Sequence, residues 1–317
     1  MALFRDIYAG RDTGIETWKK FQLVEGEYEH LERTLLHDIE LWGFVDDKIR
    51  YDYDAQSHNL YVRPCTTLHQ RFLAHIENAI RAQLQEIQSG SGKASDFARK
   101  IHATRSTQIS YHAAHPPTQS KHKPDASFTH DEALFPGVVF QIAYPHHRPH
   151  LRRLAAEYIL HSNAAIQAVV TLCVPEHVPP SFTTTTTSYS SSSSISSSSN
   201  RNRNGKAAVV NGTPGKRATL SICRADFTTV NNKERKLRAL EDNVDVAFRD
   251  NNGKPINLPG LQLRLSQFSY EALAWHQMGN EDCWIRISGT RLCEYLRAAE
   301  DSLPRSYERR KRYQHIA

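Results

Sequence analysis

The sequence predicts a mixed α/β fold of the α+β kind, a sheet flanked by helices behind an N-terminal helical extension, and three observations carry that reading. Two short runs with strand-like alternation, Lys48 to Tyr53 and Asn59 to Arg63, are joined by the polar segment Asp54 to His58, which suits a hairpin. An apolar stripe at helical spacing follows the hairpin. Farther on, one amphipathic stretch separates two apolar strands, and helix, hairpin and strands with a single crossover helix build one sheet domain.

Taken in order, residues 14 to 42 read as helix, because Leu31, Leu35, Leu36, Ile39 and Trp42 recur at three- and four-residue steps. After the hairpin, Pro64 ends the second strand and Thr66 or Thr67 caps a helix whose stripe is Phe72, Ile76, Ile80, Leu84 and Ile87. The Ser89-Gly90-Ser91-Gly92 break closes that helix. A strand is expected over Thr104 to His112, followed by a Pro-, Ser- and Lys-rich loop that leads to Pro124-Asp125. In the next strand Val139, Gln141 and Ala143 share one face, with Val138, Phe140, Ile142 and Tyr144 on the other. Leu151, Leu154, Ala155, Tyr158 and Ile159 give the crossover helix its apolar stripe, and Ile166 to Val174 reads as a buried strand. Further strands are expected at Arg217 to Arg224, Val244 to Phe248 and Leu261 to Leu265, with a turn at Asn251-Asn252-Gly253-Lys254.

This divides the chain into a helical extension over 1–44, a sheet domain over 45–275 and a helical, polar, basic tail over 276–317 that reads as peripheral. The domain is interrupted at 180–216 by a tract of Thr, Ser, Asn and Arg, which buries too little to offset its ordering entropy and reads as disordered. A formal charge of +6 and a pI near 9.0 favour polyanionic partners without specifying one. Five cysteines, widely spaced and partly within apolar runs, read as reduced buried thiols. Neither a secretory signal nor a membrane span is seen, which places the protein in the cytoplasm or nucleus. The basic run Arg309 to Arg312 reads as an import signal, a phosphate-binding arm or a solvated terminus.

The run KPDASFTHDEALFPGVVFQIAYPHHRPHLRRLAAEYIL resembles the fungal branch of the restriction-endonuclease-like superfamily, known by its PD-(D/E)xK signature. The stretch KIRYDYDAQSHNLYVRPCTTLHQ resembles that branch's hairpin and first core helix, and DNNGKPINLPGLQLRLSQF its closing strands. The resemblance covers most of residues 45 to 270 and implies a metal-dependent nuclease core with DNA as substrate or partner. It places Asp125 at the signature's metal-binding Asp, Gln141 where an Asp or Glu is expected, and Ala143 where the Lys falls.

In an intact centre of this type two carboxylates hold Mg²⁺ or Mn²⁺, and the ammonium positions the attacking water. The resemblance therefore implies a metal set of Asp125, the Gln141 amide oxygen, the Ile142 carbonyl and Glu77, with His69 and Gln70 as weaker ligands. Arg148, Arg152 or Arg153 stands in for the missing cation, Arg152 being the catalytic choice, and Lys123, Arg148, Arg152 and Arg153 are the expected DNA contacts. None of these arginines acts as a base, because guanidinium stays protonated. Loss of two of three charged groups implies a weak or inactive phosphodiesterase that binds DNA. A non-catalytic scaffold or protein-interaction role on the same fold stands as the alternative.

Other chemistry lacks its motif. His146, His147, His150 and His161 crowd one region, but no CxxC or HExxH accompanies them, and a surface histidine cluster is the simpler reading. Phosphate loops, dinucleotide fingerprints and a G-x-S-x-G elbow are all absent from the sequence.

Overall fold

The computed structural model describes residues 1–9, 11, 19–64, 66–104, 107–111, 120–175, 215–230 and 234–303. The Ser/Thr-rich tract up to residue 214, Cys65 and the basic run at 309–312, with the expectations for them, lie outside the described residues. The chain is mixed α and β, as expected.

The N-terminal segment corrects the expectation of a helix over 14 to 42. Among the described residues, which leave out 12–18, three short helices, α1 (Ala2–Tyr8), α2 (Glu27–Leu36) and α3 (Ile39–Lys48), lie about a strand, β1 (Lys19–Gln22). Gly26 enters α2 at φ 83°, a left-handed turn that ends any helix running into it. Asp38 then separates α2 from α3, its side chain accepting from the Leu41 N–H at 3.1 Å as an N-cap. Asp38 breaks the expected stripe between Leu36 and Ile39, and those two side chains are exposed rather than buried.

The hairpin forms as expected from β2 (Ile49–Asp54) and β3 (Asn59–Pro64). With β1, β5 (Ile109–Ser110) and β6 (Lys121–His122) it makes a five-stranded sheet ordered β1-β3-β2-β6-β5. Phe4, Tyr28, Leu35, Leu41, Val45, Tyr51 and Tyr53 form its core, with Tyr28 and Tyr53 stacked at 3.9 Å. Among the described residues of the range expected as one strand, 104 to 112, only β5 is a strand; Thr104 follows β4 (Ile101–Ala103), and Arg105, Ser106 and His112 lie outside the described residues.

The central sheet runs β11-β10-β9-β8-β7-β4, where β7 is Ala126–His130, β8 Val138–Ala143, β9 Ala168–Cys173, β10 Ala218–Val230 and β11 Glu234–Arg249. Only β8 and β9 pair parallel, joined by the crossover helix α6 (Arg148–His161). Every residue of β8 and β9 is buried, so both faces are covered. One face carries α4 (Thr67–Gln88), capped by Thr66 as expected, whose Phe72, Ile76 and Ile80 pack with Val138, Phe140 and Ile142, and α5 (Lys93–Arg99) adds Phe97 and Ala98 to the same core. The opposite face carries α6, and there Val139 packs with Leu154, Ala155 and Tyr158.

The C-terminal segment also departs from expectation. It holds α7 (Glu271–Met278), β13 (Trp284–Ile287) and α8 (Gly289–Asp301). Leu292, Cys293, Leu296 and Ala299 of α8 are buried in the same core as α4, so this segment is structural rather than peripheral. β13 pairs antiparallel with β12 (Leu261–Arg264).

Candidate functional site

The turn at Pro124-Asp125 delivers Asp125 against β8. Its N–H donates to the Phe140 carbonyl at 3.0 Å, and its Oδ2 accepts the Ile142 N–H at 2.7 Å. The carboxylate is thus clamped beside the strand that carries Gln141. The sequence places these residues together and the structure does so too, through a third side chain that sequence reasoning passed over.

That side chain is Arg63 of β3, buried to 2% exposure. Its Nη1 donates to Gln141 Oε1 at 2.6 Å and to Asp125 Oδ2 at 3.2 Å. Its Nε lies 2.9 Å from Asp52 Oδ2, and its Nη2 donates to Asp52 Oδ1 at 3.3 Å and to the Lys123 carbonyl. Asp52 Oδ1 also accepts the Lys123 N–H at 3.0 Å. Gln141 completes the array by donating its Nε2 to the Tyr158 hydroxyl at 2.9 Å. The cluster ties the hairpin sheet to the central sheet and to α6.

Its electrostatics follow from burial and pairing. Burial alone would raise the Asp52 carboxyl, but the Arg63 guanidinium and the His122 ring outweigh it and hold the group at about 2. For Arg63, burial lowers the pKa while Asp52 and Asp125 raise it further, so the guanidinium is fixed in its charged form. Burial pushes Tyr158 far above the ordinary phenol, with the Asp52 charge adding to it. His69, at the start of α4, is held at about 4 chiefly by burial, against the opposing pull of Asp125. Its ring lies 5.0 Å from that of Tyr144.

The donor set does not suit a divalent metal. The two oxygens that would have to ligate it, on Asp125 and Gln141, already accept hydrogen bonds from one guanidinium nitrogen. A Mg²⁺ or Mn²⁺ ion there would sit against a fixed, buried positive charge, so the residues present do not fit the ion. Glu77 lies half-buried on α4. The Ile142 main chain engages Asp125 as a donor. Among the described residues, no group of three or more His, Cys, Asp and Glu side chains is arranged to hold a metal ion.

The expected phosphate contacts are likewise committed elsewhere. Lys123 is buried, its ammonium held by the Asp46 side chain at 2.8 Å and by the Asp46 carbonyl. Burial lowers its pKa, with Asp46 opposing. Arg148 pairs with Asp245 at 2.9 Å, Arg152 with Glu241, and Arg153 with Asp54 at 3.2 Å. Arg152, the expected catalytic cation, therefore points to β11 and takes no part in the Asp125–Gln141 cluster.

The histidines of the α6 region disperse. His146 and His147 lie ring to ring at 3.9 Å, whereas His150 packs on Tyr61 and His161 on Tyr111. Among the described residues no helix is long and apolar enough to cross a membrane.

Fold and cluster together define a mixed α/β protein with a buried polar centre at the junction of two sheets, the centre's positive charge supplied by the chain itself. Compared with known proteins, the chain matches no protein-family model, and no curated protein matches it.

Proposed function

We propose that this protein is a catalytically silent, nuclease-like protein that binds nucleic acid, with Arg63 occupying the place of the catalytic cation. The observation that carries the reading is the Nη1 atom of Arg63 within hydrogen-bond reach of both Asp125 and Gln141. The nuclease-like part rests on element order: the core helix α4, the antiparallel pair β7–β8, the crossover helix α6 and the parallel strand β9, with the Pro-Asp turn at the head of β7. Silence follows from the chemistry. Phosphodiester cleavage by this class needs a metal that acidifies water and polarises phosphate, and a guanidinium does not acidify a ligated water. Gln141 is fully buried, and Arg63 covers the oxygens that a substrate-bound metal would need.

Binding of nucleic acid is supported by the charge of +6. The alternative, a protein-interaction scaffold, draws on the pairing of Lys123, Arg148, Arg152 and Arg153 with carboxylates. A plasmid-nicking assay with Mn²⁺, beside fluorescence-anisotropy titrations of DNA across salt, tests both. Salt-dependent binding without nicking is expected. Nicking that disappears in Asp125→Ala overturns the silent centre, and no affinity at low salt gives preference to the scaffold.

A further inference from the structure

We infer that the outer face of the β12–β13 pair is a docking surface for single-stranded nucleic acid, an inference that rests on the nucleic-acid-binding reading above. The two strands alternate cleanly. Leu261, Leu263, Ile285 and Ile287 are buried in the main core, so the pair is mounted on a rigid base. Strand alternation then sends Gln262, Arg264, Trp284 and Arg286 to the other side.

On that side Trp284 is 37% exposed. The guanidinium of Arg264, directly across the ladder, lies 4.0 Å from its ring centroid, and that of Arg286 lies 5.1 Å away. Arg224 brings a third guanidinium to the border by donating to the Gln262 carbonyl at 2.7 Å. Gln83 of α4 bonds both the N–H and the carbonyl of Arg286, which fixes the strand beneath it.

The charge balance favours an anion. Arg286 has no carboxylate partner among the described residues, and Asp282 approaches Arg264 only to 4.0 Å while its oxygens accept from the Ser266 N–H and hydroxyl. Arg224 faces Asp242 at 3.3 Å. An exposed indole flanked by planar cations offers a base a stacking partner and its phosphates guanidinium donors, the combination that binds single strands with little sequence preference. A base-paired duplex keeps its bases stacked inside and uses only the charges.

The test uses the full chain and fluorescence anisotropy of a labelled oligothymidylate, with a duplex of equal length beside it. Trp284→Ala is expected to weaken single-strand binding by roughly 5- to 150-fold, Trp284→Phe to keep most of the affinity, and Arg286→Gln to weaken binding and lower its salt dependence. Wild-type affinity in Trp284→Ala and Arg286→Gln alike overturns the surface while leaving the broader reading standing. Should Trp284→Ala fail to fold, Trp284→Phe and Arg286→Gln decide, and unchanged affinity and salt slope in Arg286→Gln overturn the surface. No binding of either nucleic acid by the wild type at low salt overturns the broader reading and the inference with it.

Discussion

Arg63 and Gln141, 78 residues apart in sequence, meet through a 2.6 Å hydrogen bond from a guanidinium to a side-chain amide, both fully or nearly fully buried. The amide is what makes the contact neutral. With Asp52 and Asp125 already supplying two carboxylates to one guanidinium, a third charge at position 141 would add to the cluster's excess of negative charge in a buried site. Gln141 instead gives an oxygen to Arg63 and an N–H to Tyr158. A reading of the signature positions alone sees a lost carboxylate; with Arg63 included, the same glutamine completes a hydrogen-bonded network.

Removing the guanidinium should therefore be costly. Arg63→Ala strands Asp52, the Asp125 oxygen, the Gln141 oxygen and the Lys123 carbonyl together, and breaking a buried ion pair from one side typically costs about 3–5 kcal/mol. Arg153→Ala, which loses a half-exposed pair with Asp54, should cost under about 1 kcal/mol. Urea denaturation of both variants checks this, and equal losses would contradict the role given to Arg63.

Acid should destabilise the protein in two stages. His69 is held at about 4 when folded, below its ordinary 6.5, so the unfolded chain binds the proton first and stability falls as pH drops from about 6.5 to 4. Asp52 is held at about 2, below 3.8, so its contribution is present above the ordinary value and is lost as pH falls from about 4 to 2. That second stage amounts to about 2 kcal/mol. Stability measured against pH should fall less over the upper stage in His69→Phe, where His147 and His150, also held at about 4 by burial, still contribute, and less over the lower stage in Asp52→Asn. A profile unchanged in both variants would contradict the assignment.

Much of the central sheet was legible because its signals are local. Strands 138–143 and 168–173 are apolar throughout, and the α4 stripe repeats for six turns behind a Thr cap. The meeting of Asp125 with Gln141 was legible from spacing and the Pro-Asp turn. Arg63 was not, since its partners lie on β2, on the turn before β7 and on β8, and no local pattern marks a charged residue at a strand end as buried. The nearest signal was Asp52 between Tyr51 and Tyr53, a carboxylate inside a strand buried on both faces, which requires a cation from elsewhere. β1 was missed because pairing with β3 overrides a helical pattern, and β13 because WIRI is short, although its alternation was present in the sequence. β10 and β11 extend past the expected strands because they form a ribbon with each other where β9 has ended.

Gly137, just before β8, should resist even alanine. A Cβ there would collide with the backbone of Gln267 and Phe268, which cannot yield as a flexible side chain would. Gly137→Ala is expected to cost about 3 kcal/mol, near the upper end for overpacking. Gly43 in α3 has open space around the same atom, and Gly43→Ala should stabilise by about 0.5–1 kcal/mol. Thermal melts of the pair test the contrast, and a neutral Gly137→Ala would show that the two segments separate easily.

The most demanding prediction concerns what the oxygens do once the guanidinium is gone. In Arg63→Ala, Asp52, Asp125 Oδ2, Gln141 Oε1 and the Lys123 carbonyl are left around the space that Arg63 filled, a set of hard oxygen donors of the kind divalent cations prefer. Combining Arg63→Ala with Gln141→Glu adds a third negative charge to that set. This double variant should bind Mn²⁺, read as a cation-dependent rise in melting temperature; occupancy at a hundredfold excess over Kd corresponds to about 2.7 kcal/mol. Arg63→Ala alone should respond less, whereas the wild type and Gln141→Glu alone should not respond, because Arg63 still holds the oxygens. Asp125→Ala in the double-variant background should abolish the rise. If the double variant melts at the same temperature with and without Mn²⁺, the oxygens have collapsed on one another, and Arg63 is a structural tie rather than the occupant of a cation site.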